Sequence, residues 1–237
     1  MAEKKSSGRS GGRGLTQKVK TAKKRPIGST RWLERQLNDP YVAQAKRDGY
    51  KSRAAYKLIE MDEKFHLLKP GMKVVDLGAA PGGWTQVAVQ KTKGAVVGID
   101  LLEMDAIPGA ELLQGDFTDD EAPEKLKALL GGKADAVLSD MAPNTTGVPE
   151  VDHLRIIALC EMALDFALDV LAPGGCFVCK VRQGGTESEL LALMKKHFTT
   201  VRHAKPPASR KDSAEAYVVA TGFKECGQAS SPSEGED

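Results

Sequence analysis

Val74-Val75-Asp76-Leu77-Gly78-Ala79-Ala80-Pro81-Gly82-Gly83-Trp84-Thr85 joins an apolar, strand-like run to a glycine-rich turn and then to a helical pattern. A connection of this composition makes a nucleotide cradle. Gly78, Gly82 and Gly83 admit backbone conformations closed to residues with a Cβ, so amides at the following helix start can approach a ligand closely. The next apolar run, Ala95-Val96-Val97-Gly98-Ile99, ends at Asp100, where a nucleoside-binding α/β fold puts the acid that grips ribose hydroxyls. Glycines in a strand-to-helix turn can reflect geometry alone; the turn and the acid together point to a nucleoside.

The turn lacks the second glycine of the dinucleotide fingerprint and carries Pro81 inside it. That favours a nucleoside without a pyrophosphate, such as S-adenosylmethionine, and disfavours a nicotinamide-dependent dehydrogenase. Outward from the turn, strands alternate with helices. Strands are predicted at 73–77, 95–100, 111–114, 136–140, 176–181, 199–203 and 216–221, and helices at 30–38, 52–64, 83–90, 122–130, 151–171 and 186–197. The alternation predicts a Rossmann-like α/β fold, a mainly parallel seven-stranded sheet with an antiparallel last strand and helices on both faces. Ligands of such sheets bind at the carboxyl ends of the strands.

With 237 residues, 41% of them hydrophobic, the chain can bury one substantial core. The organisation expected is a disordered basic tail over residues 1–29, one domain over 30–223, and a disordered polar, acidic tail over 224–237. Residues 1–31 carry ten Lys or Arg and a single acid, leaving the remainder with 24 basic and 31 acidic residues and a net charge of −7. The basic tail reads as a phosphate-seeking arm, or more simply as a solubilising extension. No apolar run approaches the ~20 residues of a membrane helix and no secretory signal is present, so a cytoplasmic protein is expected. Cys160, Cys176, Cys179 and Cys226 form no dense disulfide framework. Cys176 and Cys179 have the C-x-x-C spacing, but in a strand they face opposite sides of the sheet, and no second pair completes a metal site.

Three acids fall at or just beyond strand ends: Asp100, Asp116 and Asp140. Each alone could be a cap or a turn former; at one edge they can serve the ribose, base and reactive end of one nucleoside. Lys180 arrives near the end of an otherwise apolar strand. It is either a snorkelling or ion-paired side chain or a proton acceptor whose pKa is lowered by burial and a neighbouring cation. Lys57 supplies such a cation, with Arg53 one turn earlier, and an antiparallel last strand would bring Glu215 to the same edge.

These residues resemble the FtsJ/RlmE family of S-adenosylmethionine-dependent ribosomal RNA 2′-O-methyltransferases. The likeness spans nearly all of residues 30–223, through Ser52-Arg53-Ala54-Ala55-Tyr56-Lys57-Leu58, the glycine turn, Gln114-Gly115-Asp116-Phe117, Ser139-Asp140-Met141-Ala142-Pro143-Asn144, Leu171-Ala172-Pro173-Gly174-Gly175 and Ser209-Arg210. The resemblance implies a catalytic tetrad of Lys57, Asp140, Lys180 and Glu215, and cofactor contacts at Gly82, Trp84, Asp100, Asp116 and Asp140. It also implies S-adenosylmethionine as cofactor and methylation of a uridine ribose 2′-hydroxyl in 23S ribosomal RNA, within an assembled or nearly assembled large subunit. No metal and no covalent enzyme intermediate are expected, and the enzyme should be a monomer. Lys180 would accept or polarise the hydroxyl proton, Asp140 and Glu215 would orient it, and Lys57 would hold the ribose or tune Lys180. Lys46, Arg47, Lys51 and Arg53, with Arg202, Lys205, Arg210 and Lys211, are candidates for a basic rim toward RNA. The departures lie in Arg182-Gln183-Gly184-Gly185 and in the long basic tail. The rival readings are a methyltransferase of transfer RNA or messenger RNA caps, and a non-catalytic assembly factor that clamps RNA.

Overall fold

The computed structural model describes residue 18 and residues 26–143, 146–182 and 188–225. Seven strands, β1 (Val74–Leu77), β2 (Val96–Asp100), β3 (Ala110–Gln114), β4 (Ala134–Ser139), β5 (Leu171–Arg182), β6 (Phe198–Ala204) and β7 (Glu215–Phe223), form one sheet in the order β3-β2-β1-β4-β5-β7-β6. The first five run parallel, and β7 is antiparallel to both β5 and β6. The predicted α/β class and the antiparallel last strand are both present. β7 inserts between β5 and β6.

Adjacent residues of the central strands are buried on opposite faces, which is why the sequence reads as continuous valine-rich runs. One face packs Val75, Val97, Val137 and Phe177 against α5 (Ala122–Leu130), α6 (Pro149–Val170) and α7 (Ser188–His197). The other packs Val74, Val96, Leu138 and Val178 against α3 (Ala55–Phe65) and α4 (Gly83–Thr92). Cys176 belongs to the second face and Cys179 to the first, the alternation that their spacing requires.

The remaining helices, α1 (Ile27–Leu37) and α2 (Pro40–Asp48), precede this sandwich. Helix α1 begins inside the predicted tail, and α2 was not foreseen. Its start is nonetheless written locally: Asp39 accepts from the Tyr41 amide at 3.0 Å, Pro40 fills the first turn, and Gly49 closes the helix at φ +78°. Ala45 of α2 packs with Tyr56 and Ala208 in a small separate cluster, tying α2 and α3 to the loop between β6 and β7.

One other boundary moved. Strand β5 was expected to begin at Cys176, after a Pro-Gly-Gly break. Leu171 already pairs with Ala134, and Ala172–Gly175 bulge out before Cys176 resumes the ladder opposite Ala136. The expected beginning of α7 at Thr186, most of both tails, Cys226 and the Gln183-Gly184-Gly185 departure lie outside the described residues.

Candidate active site

The strand order reverses direction around β1 and β4, and the two cavities that matter lie at this carboxyl edge. The larger, about 650 Å³, lies against Gly78 and Ala80 of the glycine turn, the end of β2, and the segments after β3 and β4. Asp100, Asp116 and Asp140 all line it, with Ile99, Leu101, Phe117 and Met141 supplying apolar wall. Three carboxylates on an apolar cavity fit a nucleoside, whose hydroxyls and amino groups donate and whose base is apolar on its faces.

Two of the acids also do the structural work weighed above. Asp100 accepts from the amides of Ala80 and Leu102, both at 2.9 Å, and so ties the glycine turn to β2. Asp116 accepts from the amide and the hydroxyl of Thr118, bonds that hold its pKa below the ordinary carboxylate value.

The glycines also let the turn pack closely against the rest of the protein. A Cβ on Gly78, which sits at φ +78°, would come within 2.9 Å of the Met141 backbone. One on Gly82, at φ +107°, would meet Ile107, and one on Gly83 would meet Ser52 Oγ, both at 2.4 Å. The turn is thus packed against three other segments of the protein. Gly82 and Trp84 do not line the cavity. Trp84 points from the first turn of α4 into the core, is 2% exposed, donates from its indole nitrogen to the Ala54 carbonyl at 2.8 Å, and packs on Tyr217 with ring centroids 5.6 Å apart. The indole thus underpins α3 and β7.

Lys57, Asp140, Lys180 and Glu215 come together as expected. Lys57 Nζ lies 2.7 and 2.8 Å from the two oxygens of Glu215. Lys180 Nζ contacts Asp140 Oδ1 at 2.8 Å and donates to the Asp140 carbonyl at 2.7 Å, with Glu215 3.8 Å away. Tyr217, which the sequence reading did not single out, joins the pairs: its hydroxyl accepts from Lys57 at 3.1 Å and donates to Asp140 Oδ1 at 2.7 Å. Ser209 adds a bond to Glu215 at 2.9 Å. Antiparallel register explains the convergence, because Tyr217 stands opposite Lys180 and Glu215 opposite Arg182. The signal for Tyr217 was its period-two relation to Glu215, which puts both on one face of β7.

Of the two readings of Lys180, electrostatics favour the ion-paired one. Burial lowers its pKa, but the charges of Asp140 and Glu215 and the hydrogen bond to Asp140 outweigh burial, so the pKa is raised above its ordinary value. Asp140 is the mirror image: burial raises its pKa, and Lys180, Lys57 and the bonds from Lys180 and Tyr217 bring it below the ordinary value. Burial, with Asp140 and Glu215 nearby, pushes the Tyr217 phenol well up. The resting site therefore holds Lys180 as ammonium and Asp140 as carboxylate.

Beneath the turn, Asp76 is fully buried. Its Oδ2 accepts from the Thr85 hydroxyl at 2.6 Å, while Oδ1 has no partner. Burial pushes its pKa up to about 7, against the lowering bond from Thr85 and with the charges of Asp140 and Asp100 adding to the rise. A carboxyl whose folded pKa exceeds its unfolded value of 3.8 destabilises the fold as pH climbs from about 4 to about 7. Asp76→Asn removes that titration. Its melting temperature relative to wild type should rise across this window and level off above it in thermal scans; a difference independent of pH would show that Asp76 does not titrate there.

On the opposite flank of the tetrad lies a second cavity of about 300 Å³, lined by Arg35, Arg53, Lys57, Arg210, Asp212, Ser213 and Glu215. Arg53 pairs with Asp39 at 2.9 Å and donates to the Ala208 carbonyl, and Arg210 reaches the same Asp39 oxygen at 3.3 Å. The proposed rim is therefore divided. Arg53 and Arg210 turn inward, Lys51 pairs with Asp105 at 3.1 Å, and Lys46, Arg47, Arg202, Lys205 and Lys211 are exposed.

Residues 50–223 match the family model for an FtsJ-like methyltransferase. The chain belongs to that family. This FtsJ-like methyltransferase is 66% identical over 235 residues to a "Ribosomal RNA large subunit methyltransferase E" of Paramagnetospirillum magneticum, covering 93% of this chain and 96% of the relative. A protein of the same name from Cereibacter sphaeroides is 58% identical over the full length of both. Among solved structures, a candidate ribosomal RNA methyltransferase of Plasmodium falciparum superposes on this FtsJ-like methyltransferase with a TM-score of 0.66. It is 34% identical and covers 73% of this chain and 98% of its own. The enzyme class and the Rossmann-like methyltransferase fold follow from these likenesses.

Proposed function

We propose that this chain transfers the methyl group of S-adenosylmethionine to the 2′-hydroxyl of a uridine in 23S ribosomal RNA of the large ribosomal subunit, acting as a cytoplasmic monomer. The observation that carries the chemistry is the position of the tetrad between a carboxylate-lined cavity suited to a nucleoside and a guanidinium-lined cavity suited to an anion. The substrate is supported by the relatives' names and by the near-complete span of the likeness.

Asp100 would hold the cofactor ribose, Asp116 its base and Asp140 its reactive end. S-adenosylmethionine supplies a methyl group activated on a sulfonium. Bound there, it would give that methyl to the RNA 2′-oxygen, the electron pair of the broken sulfur–carbon bond staying on sulfur. Lys180, already an ammonium, donates to the 2′-oxygen and lowers the cost of negative charge there. Asp140, held ionised, orients the hydroxyl and gives its proton a place to go. Lys57 is held by Glu215 and Tyr217, which fixes its ammonium toward the ribose. Fixing reactants in near-attack geometry can contribute about 7–11 kcal/mol.

The test is transfer of labelled methyl from S-adenosylmethionine to purified large subunits, to protein-free 23S RNA and to transfer RNA, with the product mapped by ribose-methylation-sensitive cleavage. Label at a uridine ribose of the large subunit is expected. Label confined to transfer RNA would keep the chemistry and replace the substrate. Tight subunit binding without label would leave an RNA clamp.

A further inference from the structure

The cavities on the two sides of the tetrad differ in charge. Asp100, Asp116 and Asp140 line the larger one, where Arg155 is the single basic residue. The smaller one gathers four cations, Arg35, Arg53, Lys57 and Arg210, against two carboxylates, Asp212 and Glu215. The covalent structure of RNA gives this asymmetry a use. The 2′-oxygen and the oxygen bearing the 3′-phosphodiester stand on neighbouring carbons of one ribose. A nucleotide that presents its 2′-hydroxyl to Lys180 and Asp140 therefore carries an anion within a side chain's reach of them. The carboxylate-lined flank repels that anion.

We propose that the pocket of Arg35, Arg53 and Arg210 is the subsite for the 3′-phosphodiester of the nucleotide being methylated, which fixes the direction in which the RNA strand crosses the site. The inference rests on the ribose-methylation reading above. Its geometry is preorganised. Asp39, whose side chain is 8% exposed, is fixed at the start of α2 by the Tyr41 amide, and its other oxygen holds both Arg53 and Arg210. Two guanidiniums sharing one carboxylate leave one positive charge in excess while Glu215 balances Lys57, and among the described residues the buried Nε of Arg53 has no acceptor. Arg35, exposed on the last turn of α1, has no acidic partner among the described residues and adds a second, uncommitted charge. Planar guanidiniums match phosphate oxygens in pairs, so the inner residues supply geometry and Arg35 supplies charge.

Steady-state methylation of large subunits from cells lacking this enzyme tests the assignment, across a salt series, for wild type, Arg35→Gln and Arg210→Lys. Arg35→Gln should raise KM about tenfold. It should also reduce the slope of log(kcat/KM) against log salt by about 0.7 to 0.9, the value of one phosphate contact. Its kcat, melting temperature and cofactor affinity should stay at wild type. Arg210→Lys keeps the charge and loses the fork, so KM should rise while the salt slope is preserved. A fold defect would not separate the two variants in this way. Wild-type KM and slope in both variants, with methylation intact, would overturn the subsite and leave the ribose reading standing. Absence of methylation by the wild-type enzyme would remove that reading and the subsite with it.

Discussion

Lys180→Ala is expected to lower turnover by roughly 10²–10³-fold, the range of one positioned donor to developing negative charge, while the Kd for S-adenosylmethionine stays within about twofold. Lys180 does not line the carboxylate cavity, and its ammonium is spent on Asp140 and, more distantly, Glu215. Its loss leaves two acids facing the single charge of Lys57. Single-turnover methylation beside calorimetric cofactor binding separates the two quantities. The pH profile supplies a second check. The Lys180 pKa is raised, so the ammonium persists through neutral pH and is lost only above its ordinary value of 10.5. In the free enzyme Lys180 should show no titration near pH 7 to 8, followed through its Nζ nitrogen resonance. A Lys180 that deprotonates there would restore the role of simple base.

Asp140→Ala should be more damaging because Asp140 belongs to both halves of the site. It lines the nucleoside cavity, accepts from Tyr217 at 2.7 Å and pairs with Lys180 at 2.8 Å. Turnover should fall by roughly 10³-fold or more, and the cofactor Kd should weaken by about 10- to 100-fold, the effect of removing a charged hydrogen-bonding partner. Removing one member of a buried ion pair strands the other, so a lower melting temperature should accompany the loss. Unchanged cofactor affinity would place Asp140 in the methyl-accepting half alone.

The parts of this site that were legible in the sequence are those set by strand ends. Asp100, Asp140 and Lys180 terminate apolar runs, and a parallel sheet brings such ends to one edge whatever the details of packing. Glu215 required one further assumption, the direction of the last strand, and the register opposite Arg182 agrees with it. Tyr217 was hidden because a tyrosine in an apolar strand reads as core, and most of its ring is core. Trp84 shows the opposite difficulty. Its place in a ligand-binding motif drew attention to the ligand, and its packing between α3 and β7 was not foreseen. Helix α2 was available from Asp39, Pro40 and Gly49, but over nine residues its apolar stripe was too short to draw attention to them. The charge state of Lys180 was beyond a linear reading, since it depends on two carboxylates approaching in space outweighing the burial that position suggested.

The insertion of β7 between β5 and β6 sets an order of events during folding. The nucleoside cavity is closed by residues 78 to 162, within the run of parallel strands. The bonds from Lys57 to Glu215 and Tyr217 bridge sequence separations of 158 and 160, and both acceptors ride on the inserted strand. Closing loops of that length is among the slowest steps available to a chain. A nascent or partly folded molecule can thus own a cofactor pocket before it owns a reactive centre, and competence to methylate is acquired last, in the step that seats β7.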